Sequence, residues 1–267
     1  MVISAILIIL FCVYLFCIKG RGGHKDLPEL RRWFYAHRGL HKEGVPENSL
    51  AAFSAAKNGG YGIELDVHLL KDGSLAVIHD ASLKRTAGVD VQIEDLTASD
   101  LASYRLEGTD EKIPLFSEVL GLVCGEVPLI VELKPVGNNY AALCEATCRI
   151  LDDYHGLYCM ESFDPRCIAW LRKNRNEIAR GQLAYNLFQV NVKIPAVMKF
   201  FLQHHILNVA TQPDFIAYKY SQRKTLSNFL CRKFWRMQGV IWTVQSEEEL
   251  RISQQEGWIP IFENINP

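Results

Sequence analysis

Short apolar blocks alternate with amphipathic blocks from residue 33 to the end of the chain. The apolar blocks predict strands at 33–37, 62–70, 75–79, 128–134, 157–163, 181–186, 206–211, 240–244 and 259–263. The amphipathic blocks predict helices at 50–57, 116–123, 140–154, 166–174, 196–204, 221–237 and 247–256. A longer polar stretch over 81–113 predicts an excursion with short helices, for example at 98–104.

Strands that alternate with helices usually pair in parallel, through right-handed crossovers. The pattern therefore predicts an α/β fold, with a (β/α)8 TIM barrel as the first choice and a doubly wound sheet as the second. The sequence has neither the glycine fingerprint of dinucleotide-binding folds nor a P-loop, which disfavours an open nucleotide-binding sheet.

The connection between the second and third predicted strands is too short for a crossover helix. It contains Asp72-Gly73, which favours a two-residue hairpin turn. With that turn, the two residue numbers of every facing pair add up to 145, which places Asp66 opposite His79. About eight strands then remain for the barrel.

Residues 1–18 contain no charged side chain and would span about 27 Å as a helix. A secretory signal peptide would need a basic residue before the apolar run and a cleavage site after it, and a buried helix would need a polar face. We therefore predict a transmembrane anchor over 1–18, a basic linker over 19–32 and a catalytic domain over 33–267. The basic residues that follow the anchor, including Lys19, Arg21 and Lys25, predict a single-pass cell-membrane protein with its catalytic domain in the cytoplasm.

Composition narrows the classes of function. Of the 267 residues, 49% are hydrophobic and 22% are charged, which excludes a disordered chain. The net charge of −1 argues against nucleic acid as a partner. The eight cysteines show no zinc-ligand spacing, and scattered thiols fit a reducing compartment.

Carboxylates alternate with apolar residues on two predicted strands. Glu64 and Asp66 share one face of the strand over 62–70, which would be a solvent face in an isolated sheet but points inward in a barrel covered by helices. Glu132 would add a third carboxylate, with Lys134 beside it, although a surface salt bridge is the alternative. Oxygen ligands of this kind favour one divalent cation, Mg²⁺ or Ca²⁺.

Two histidines, His37 and His79, end apolar strands, and Arg38 follows the first of them. A single histidine at such a place is usually an ordinary core or surface residue. Together with three carboxylates and two cations, the pair predicts hydrolysis of a phosphodiester, in which one imidazole removes a proton and the other protonates the leaving oxygen.

Nine short motifs then occur in order: HRG from His37, PENSLAAF from Pro46, ELDV from Glu64, KDG from Lys71, HD from His79, LKRT from Leu83, ELK from Glu132, SFD from Ser162 and WTV from Trp242. In this combination the chain strongly resembles the glycerophosphodiester phosphodiesterase family. The resemblance implies a phosphatidylinositol-phospholipase-C-like TIM barrel that cleaves glycerophosphodiesters to glycerol 3-phosphate and an alcohol.

The resemblance also implies roles for individual residues. Glu64, Asp66 and Glu132 would bind the divalent cation, and His37 and His79 would be the catalytic acid and base. Arg38 and Lys134 would contact the phosphate. Trp242 would line the glycerol pocket, with a buried strand aromatic as the alternative.

The chain departs from the family pattern at three places: Leu70, Gln245 and the ending IFENINP from Ile261. The last two would reshape the pocket that holds the alcohol, and so they concern the substrate more than the reaction. A lysophospholipase-D-like enzyme that acts on lysophospholipids at the membrane is an alternative, favoured by the predicted anchor. The apolar-basic segments 197–202 and 232–236 would contact lipid headgroups, with a buried helix face as their other interpretation. A binding protein built on an inactive barrel is disfavoured, because all five candidate metal ligands and catalytic histidines are present.

Overall fold

The computed structural model describes residues 2–191 and 193–267. Its strands are β1 (Tyr35–Ala36), β2 (Gly62–Leu69), β3 (Leu75–Val77), β4 (Leu129–Leu133), β5 (Tyr158–Ser162), β6 (Arg180–Ala184), β7 (Phe215–Lys219), β8 (Gln238–Val244) and β9 (Trp258–Phe262). Its helices are α1 (Val2–Cys17), α2 (Leu27–Leu30), α3 (Leu50–Asn58), α4 (Lys84–Ala87), α5 (Phe116–Val123), α6 (Tyr140–Leu151), α7 (Pro165–Asn174), α8 (Ala196–Gln203), α9 (Asn208–Thr211), α10 (Leu226–Lys233) and α11 (Glu247–Gln255).

Eight parallel strands close into a barrel in the order β1-β2-β4-β5-β6-β7-β8-β9. The closure is made at β1, where Ala36 pairs with Ile63 of β2 on one side and with Phe262 of β9 on the other. This confirms the predicted TIM barrel. Because all strands run the same way, their C-terminal ends gather at one mouth of the barrel.

Alternation along the strands separates two apolar layers. On β2, the outward side chains of Ile63, Leu65 and Val67 are fully buried in a cluster with Phe53 of α3 and Phe116 of α5. Inward apolar side chains form a second cluster inside the barrel, which also contains Leu27 and Leu30 of α2. The interior is therefore filled from its N-terminal end, and polar inward residues remain at the C-terminal mouth.

The hairpin between β2 and β3 differs by one position from the predicted register. His68 pairs with Ala76, so facing numbers sum to 144 rather than 145, and Asp66 accepts a hydrogen bond from the backbone of Ile78 instead of facing His79. The reason lies in the turn: Gly73 has φ of 86° and its N–H bonds to the carbonyl of Leu70. This is a three-residue loop that ends in a left-handed glycine, not a two-residue turn.

The excursion over 81–113 has an apolar core of its own. Leu83, Ile93, Leu101 and Ile113 lie in a cluster separate from those of the barrel. The predicted helix at 98–104 is a short 3-10 turn, Asp100–Ser103, and α4 is a single helical turn. The excursion leaves the barrel at the mouth that carries the polar residues.

The strand predicted at 206–211 is wrong. Those residues begin in a turn and continue as α9, which ends at Gln212 with φ of 42°. The strand of the barrel is β7, whose residues Phe215–Tyr218 are buried between β6 and β8. The predicted helix over 221–237 is shortened to α10, because a 3-10 turn at Tyr220–Gln222 precedes it.

The N-terminal prediction needs correction. Helix α1 has 16 residues and is about 24 Å long, less than the roughly 30 Å of a bilayer core, and none of the helices in the described parts of the chain meets the length and apolarity needed to cross a membrane. The predicted transmembrane helix over 1–18 is thus not supported, and the single-pass localisation derived from it is wrong. Met1, the first residue of that prediction, lies outside the described residues.

The last turn of α1 and the residues that follow it pack against the barrel. Ile18 is fully buried with Ile216 and Met237, and the carbonyl of Leu15 accepts a hydrogen bond of 2.9 Å from Trp235 Nε1. Arg21 donates to Asp214 Oδ1 over 2.6 Å. The segment predicted as a linker over 19–32 is therefore fixed to the barrel surface by ionic and apolar contacts.

Candidate active site

A cavity of about 550 Å³ opens at the C-terminal mouth of the barrel. Seven of the eight predicted site residues line it: His37, Arg38, Glu64, His79, Glu132, Lys134 and Trp242. The eighth, Asp66, is 1% exposed and contacts two of the seven, Arg38 and Lys134. The fold thus brings together residues that are as much as 205 positions apart in the sequence.

The carboxylates of Glu64, Asp66 and Glu132 converge. All three are buried, and each offers an oxygen within 4.8 Å of the other two. Asp66 and Glu132 are paired across β2 and β4, and Glu64 lies two residues before Asp66 on the same inward face. An all-oxygen set of this kind fits a hard divalent cation such as Mg²⁺ or Ca²⁺.

The three carboxyl groups differ in their electrostatics. Burial, with repulsion from Asp66, raises the pKa of Glu64 well above its usual range. Burial also raises the pKa of Glu132, to about 7, although Lys134 opposes the shift. Burial alone would raise the pKa of Asp66 too, but Lys134, His79 and Arg38 hold that pKa well below its usual value. Asp66 is therefore the most firmly ionised of the three.

Two cations face Asp66 from opposite sides. The Nε of Arg38 lies 3.5 Å from its Oδ2, and the Nζ of Lys134 lies 3.5 Å from its Oδ1. Lys134 also donates to Glu132 over 2.9 Å. A buried polar partner, Asn48, donates from Nδ2 to Asp66 Oδ2 over 2.9 Å. These contacts fix Asp66 and place two positive charges at the edge of the cavity.

His37 directly follows β1 and is held by the residue that directly follows β9. Its Nδ1 lies 2.9 Å from Oε2 of Glu263. Burial lowers the pKa of His37, and the Glu263 carboxylate only partly offsets this effect. The ending IFENINP departs from the family pattern, but that departure alone does not predict the contact between Glu263 and His37. The signal was available, because a closed barrel places the residues after its first and last strands side by side.

His79 has a carboxylate partner as well. Its Nδ1 lies 2.7 Å from Oδ1 of Asp80, and burial lowers the pKa of the imidazole. Arg85 donates to Asp80 over 2.5 Å and to Glu47 over 2.6 Å. Glu47 in turn accepts from Arg38 over 2.8 Å. A chain of ionic contacts therefore connects Asp80, the partner of His79, with Arg38, the cation beside Asp66. Asp80 and Arg85 were not among the site residues predicted from the sequence.

Aromatic rings form one wall of the cavity. Trp242, Phe163 and Tyr185 meet edge to face, with ring centroids 5.3–6.1 Å apart. Trp242 is half-buried and lines the cavity, so its role in binding glycerol stays a prediction. Its Nε1 is buried without a hydrogen-bond partner within the described chain.

A fourth inward carboxylate, Glu161, was missed by the sequence analysis. It is 1% exposed, pairs with Glu132 in the β4–β5 register and lines the same cavity. Burial, reinforced by Glu132 and Asp66, raises its pKa well above the usual range. Its position two residues before Phe163 on a predicted strand was the available signal, because both side chains then share the inward face.

Comparison with known proteins identifies the family that this chain matches. The profile of the glycerophosphoryl diester phosphodiesterase family matches residues 37–263. The chain is 39% identical over 117 residues to "Lysophospholipase D GDPD1" of Rattus norvegicus, and the aligned region covers 39% of this chain and 36% of the relative. It is 41% identical over 113 residues to a glycerophosphodiester phosphodiesterase of Bacillus altitudinis, which covers 40% of this chain and 46% of the relative. The matches thus span less than half the length of these two curated relatives.

Solved structures show the same fold over nearly the whole chain. A phosphodiesterase of Oleispira antarctica, in complex with the product sn-glycerol-3-phosphate, superposes with a TM-score of 0.71 at 23% identity, over 86% of this chain and 92% of that one. A glycerophosphodiester phosphodiesterase of Thermotoga maritima superposes with a TM-score of 0.65 at 25% identity, over 86% of this chain and 93% of that one.

Proposed function

Because the chain belongs to the glycerophosphoryl diester phosphodiesterase family, we propose that it hydrolyses glycerophosphodiesters to glycerol 3-phosphate and an alcohol. The observation that carries this proposal is one cavity in which three buried carboxylates converge and two imidazoles are each backed by a carboxylate. The names of the matched relatives, which include phosphodiesterases, agree with it.

Glu64, Asp66 and Glu132 would hold one divalent cation, Mg²⁺ or Ca²⁺. The group they form fits this role, because their oxygens lie within 4.8 Å of one another and Oδ1 of Asp66 is buried without a hydrogen bond from any described residue. When bound, such a cation stabilises negative charge on phosphoryl oxygens. Ionised carboxylates at this spacing repel each other, so a positive charge between them is favoured.

Arg38 and Lys134 would bind the phosphate, since both cations reach the cavity and both are fixed by carboxylates. His37 and His79 would transfer protons on the nucleophile and the leaving oxygen. Burial lowers the pKa of both imidazoles, which favours the neutral form that accepts the proton of the nucleophile. The imidazole that protonates the leaving oxygen would first have to carry a second proton, and the carboxylate beside it stabilises that charged form. The aromatic wall that contains Trp242 would pack against the carbon atoms of glycerol.

A panel assay tests the proposal directly. The purified chain is stripped of metal with a chelator and given glycerophosphocholine, glycerophosphoethanolamine or glycerophosphoglycerol, with Mg²⁺ or Ca²⁺ restored. We expect release of glycerol 3-phosphate only when the cation is present. His37→Ala and His79→Ala should each lower kcat by about 10²–10⁴-fold, whereas His155→Ala, an exposed control, should not. Chelator-resistant activity, or normal turnover by either active-site variant, would contradict the assignment.

A second candidate substrate is a lysophospholipid, and a specific surface favours it. Beside the cavity, the 3-10 turn Leu187–Gln189 and α8 expose apolar side chains, including Phe188 at 54%, Val197 at 61% and Phe200 at 46%. An acyl chain that leaves the cavity at this side would cover them. The rat relative named lysophospholipase D agrees with this alternative.

The two substrates are distinguished by the ratio of kcat/KM for lysophosphatidylcholine to that for glycerophosphocholine. If an acyl chain lies on this surface, Phe188→Ser and Val197→Ser should lower the ratio and leave glycerophosphocholine turnover unchanged. Phe229→Ser is the matched control, because Phe229 is 59% exposed on α10 and does not line the cavity. An unchanged ratio in both variants would favour the water-soluble substrate.

A further inference from the structure

A second cavity, of about 710 Å³, lies at the N-terminal ends of the strands. It is formed by the segment around α2, by the end of α10 with the start of β8, and by the turn between α11 and β9. None of its lining residues lines the active-site cavity. Any ligand held here would therefore be separate from the reacting groups.

The lining is strongly basic. It carries Lys25, Arg31, Arg232, Lys233 and Arg236, against a single carboxylate, Glu256. Across residues 2–191 and 193–267, none of these five cations forms an ion pair with a carboxylate within 4.0 Å, whereas Glu256 pairs with Arg223 over 2.9 Å. Unpaired like charges around one concave surface favour binding of an anion.

Two guanidinium groups meet at one point of this cleft. A methyl group built on Gly257 would lie 3.5 Å from Nη2 of Arg31 and 3.6 Å from Nη2 of Arg232. Gly257 has φ of 75°, so a residue without a side chain is favoured there and the space between the two groups stays open.

Arg232 is held rigidly. Its Cζ lies 3.7 Å from the centre of the Trp258 ring, and its Nη2 donates to the carbonyl of Glu256 over 2.5 Å. Burial lowers the pKa of Arg232 to about 10; the Glu256 carboxylate opposes this shift, and repulsion from Arg31 adds to it. The guanidinium is thus fixed in place beside a like charge, with donors left over for a ligand.

We propose that the cleft around Arg31, Arg232 and Gly257 binds the phosphate group of an anionic ligand. Two planar guanidinium groups beside Gly257 each present several N–H donors in a fixed geometry. Such groups match the acceptor oxygens of a phosphate better than an ammonium group, which acts as a point charge. The ligand supplies the negative charge that the five cations lack. This site is independent of the proposed reaction, because its residues take no part in it.

The test uses the full chain and inorganic phosphate, followed by NMR through the backbone amides of Gly257 and Gly39. Gly257 reports on the basic cleft, and Gly39, next to Arg38, reports on the active site. We expect a saturable shift at Gly257 whose dissociation constant rises about tenfold or more in the double variant Arg31→Ala/Arg232→Ala. The response of Gly39 should stay as in the unmodified protein.

The matched control is Arg149→Ala/Arg251→Ala, which removes two exposed arginines of the outer helices α6 and α11. It should leave the Gly257 response unchanged. If loss of Arg232 impairs folding, Arg31→Gln alone provides the test, because Arg31 is exposed and makes no side-chain hydrogen bond within the described chain.

A vesicle arm identifies the source of the phosphate. Binding to phosphatidylglycerol vesicles, but not to phosphatidylcholine vesicles, that falls in the Arg31→Ala/Arg232→Ala variant and not in its control would support a lipid headgroup. Binding of free phosphate alone would support a small phosphorylated molecule. The proposal fails if neither probe shows binding that depends on Arg31 and Arg232, or if the control double variant weakens binding equally.

Discussion

The Nδ1 atom of His37 lies 2.9 Å from Oε2 of Glu263, so the first and last strands of the barrel each contribute one member of a histidine–carboxylate pair. An ionised carboxylate only accepts hydrogen bonds, so Nδ1 carries the proton and Nε2 is left free of it. Glu263 is ionised at neutral pH, because the hydrogen bond from His37 lowers the pKa of the Glu263 carboxyl group. Glu263 is thus a positioning residue for His37.

We predict that Glu263→Gln lowers kcat by about 10–100-fold, the loss expected for one hydrogen bond to a charged group. KM and cation affinity should change little if the cation is held by Glu64, Asp66 and Glu132, because Glu263 lies outside that group and contacts His37 and His41 instead. Glu263→Asp should recover part of the rate, and Glu248→Gln, on the outer surface, is the control. Equal kcat in Glu263→Gln and the unmodified protein would remove Glu263 from this role.

Arg85 connects the two halves of the ionic chain around the site. It donates to Asp80, which holds His79, and to Glu47, which holds Arg38. We predict that Arg85→Ala lowers kcat/KM by about tenfold, since both partners lose a charge-assisted hydrogen bond. Lys84→Ala, which removes the neighbouring exposed cation, should have no effect. Partial recovery of kcat/KM in Arg85→Lys would show that a cation at this position orients Asp80 and Glu47. It would exclude the explanation that Arg85→Ala only destabilises the fold.

Removal of the divalent cation should destabilise the fold. A cation present at 100 times its dissociation constant adds about 2.7 kcal/mol to the free energy of unfolding, and chelation removes that contribution. Glu132→Gln should abolish the cation effect, and its cation-free form should be at least as stable as the cation-free unmodified protein, because one buried charge is gone. Urea unfolding with and without cation measures both effects. A cation effect of normal size in Glu132→Gln, but not in the Glu145→Gln control, would exclude Glu132 as a ligand.

His205 predicts a loss of stability in acid. Burial lowers its pKa to about 4 in the folded state, while an ordinary histidine in the unfolded chain has a pKa near 6.5. Between these two values the unfolded state binds the proton and the folded state does not. The contribution of His205 to the free energy of unfolding is therefore fully present above about pH 6.5. It falls by about 3 kcal/mol as the pH decreases towards 4.

The variant His205→Asn tests this assignment. Asparagine tolerates the φ of 58° at this position, and its amide does not take up a proton between pH 6.5 and 4. The free energy of unfolding should then depend less on pH between 6.5 and 4, whereas His155→Asn, an exposed control, should keep the full dependence. An unchanged slope in His205→Asn would assign the acid sensitivity to other groups.

Much of the fold could be predicted because alternation reports which face of a strand is buried. The same rule placed Glu64, Asp66 and Glu132 inside the barrel. It failed at 206–211, where Leu207, Val209 and Thr211 alternate with other residues as a strand would but lie in a turn and α9. Such short apolar runs fit a helical turn or a strand equally well, and only packing between β6 and β8 selects Phe215–Lys219 instead.

Long-range partners were harder to predict than strand faces. The turn chemistry of Asp72-Gly73 is compatible with two loop lengths, and the structure adopts the one that moves Asp66 opposite Ile78. Asp80 and Arg85 enter the site only because the excursion folds back over the barrel mouth. No local pattern encodes that placement, whereas barrel closure did imply the contact between Glu263 and His37.

The pairing of β1 with β9 has a consequence during synthesis on the ribosome. Strand β1 and His37 emerge well before β9 and Glu263, because Glu263 is 226 positions later in the chain than His37. Until β9 has left the exit tunnel, β1 has an unpaired edge and the imidazole of His37 has no carboxylate to orient it. A nascent chain that lacks β9 therefore has an open barrel and an incomplete cavity, even though most of the residues that line this cavity have already been made.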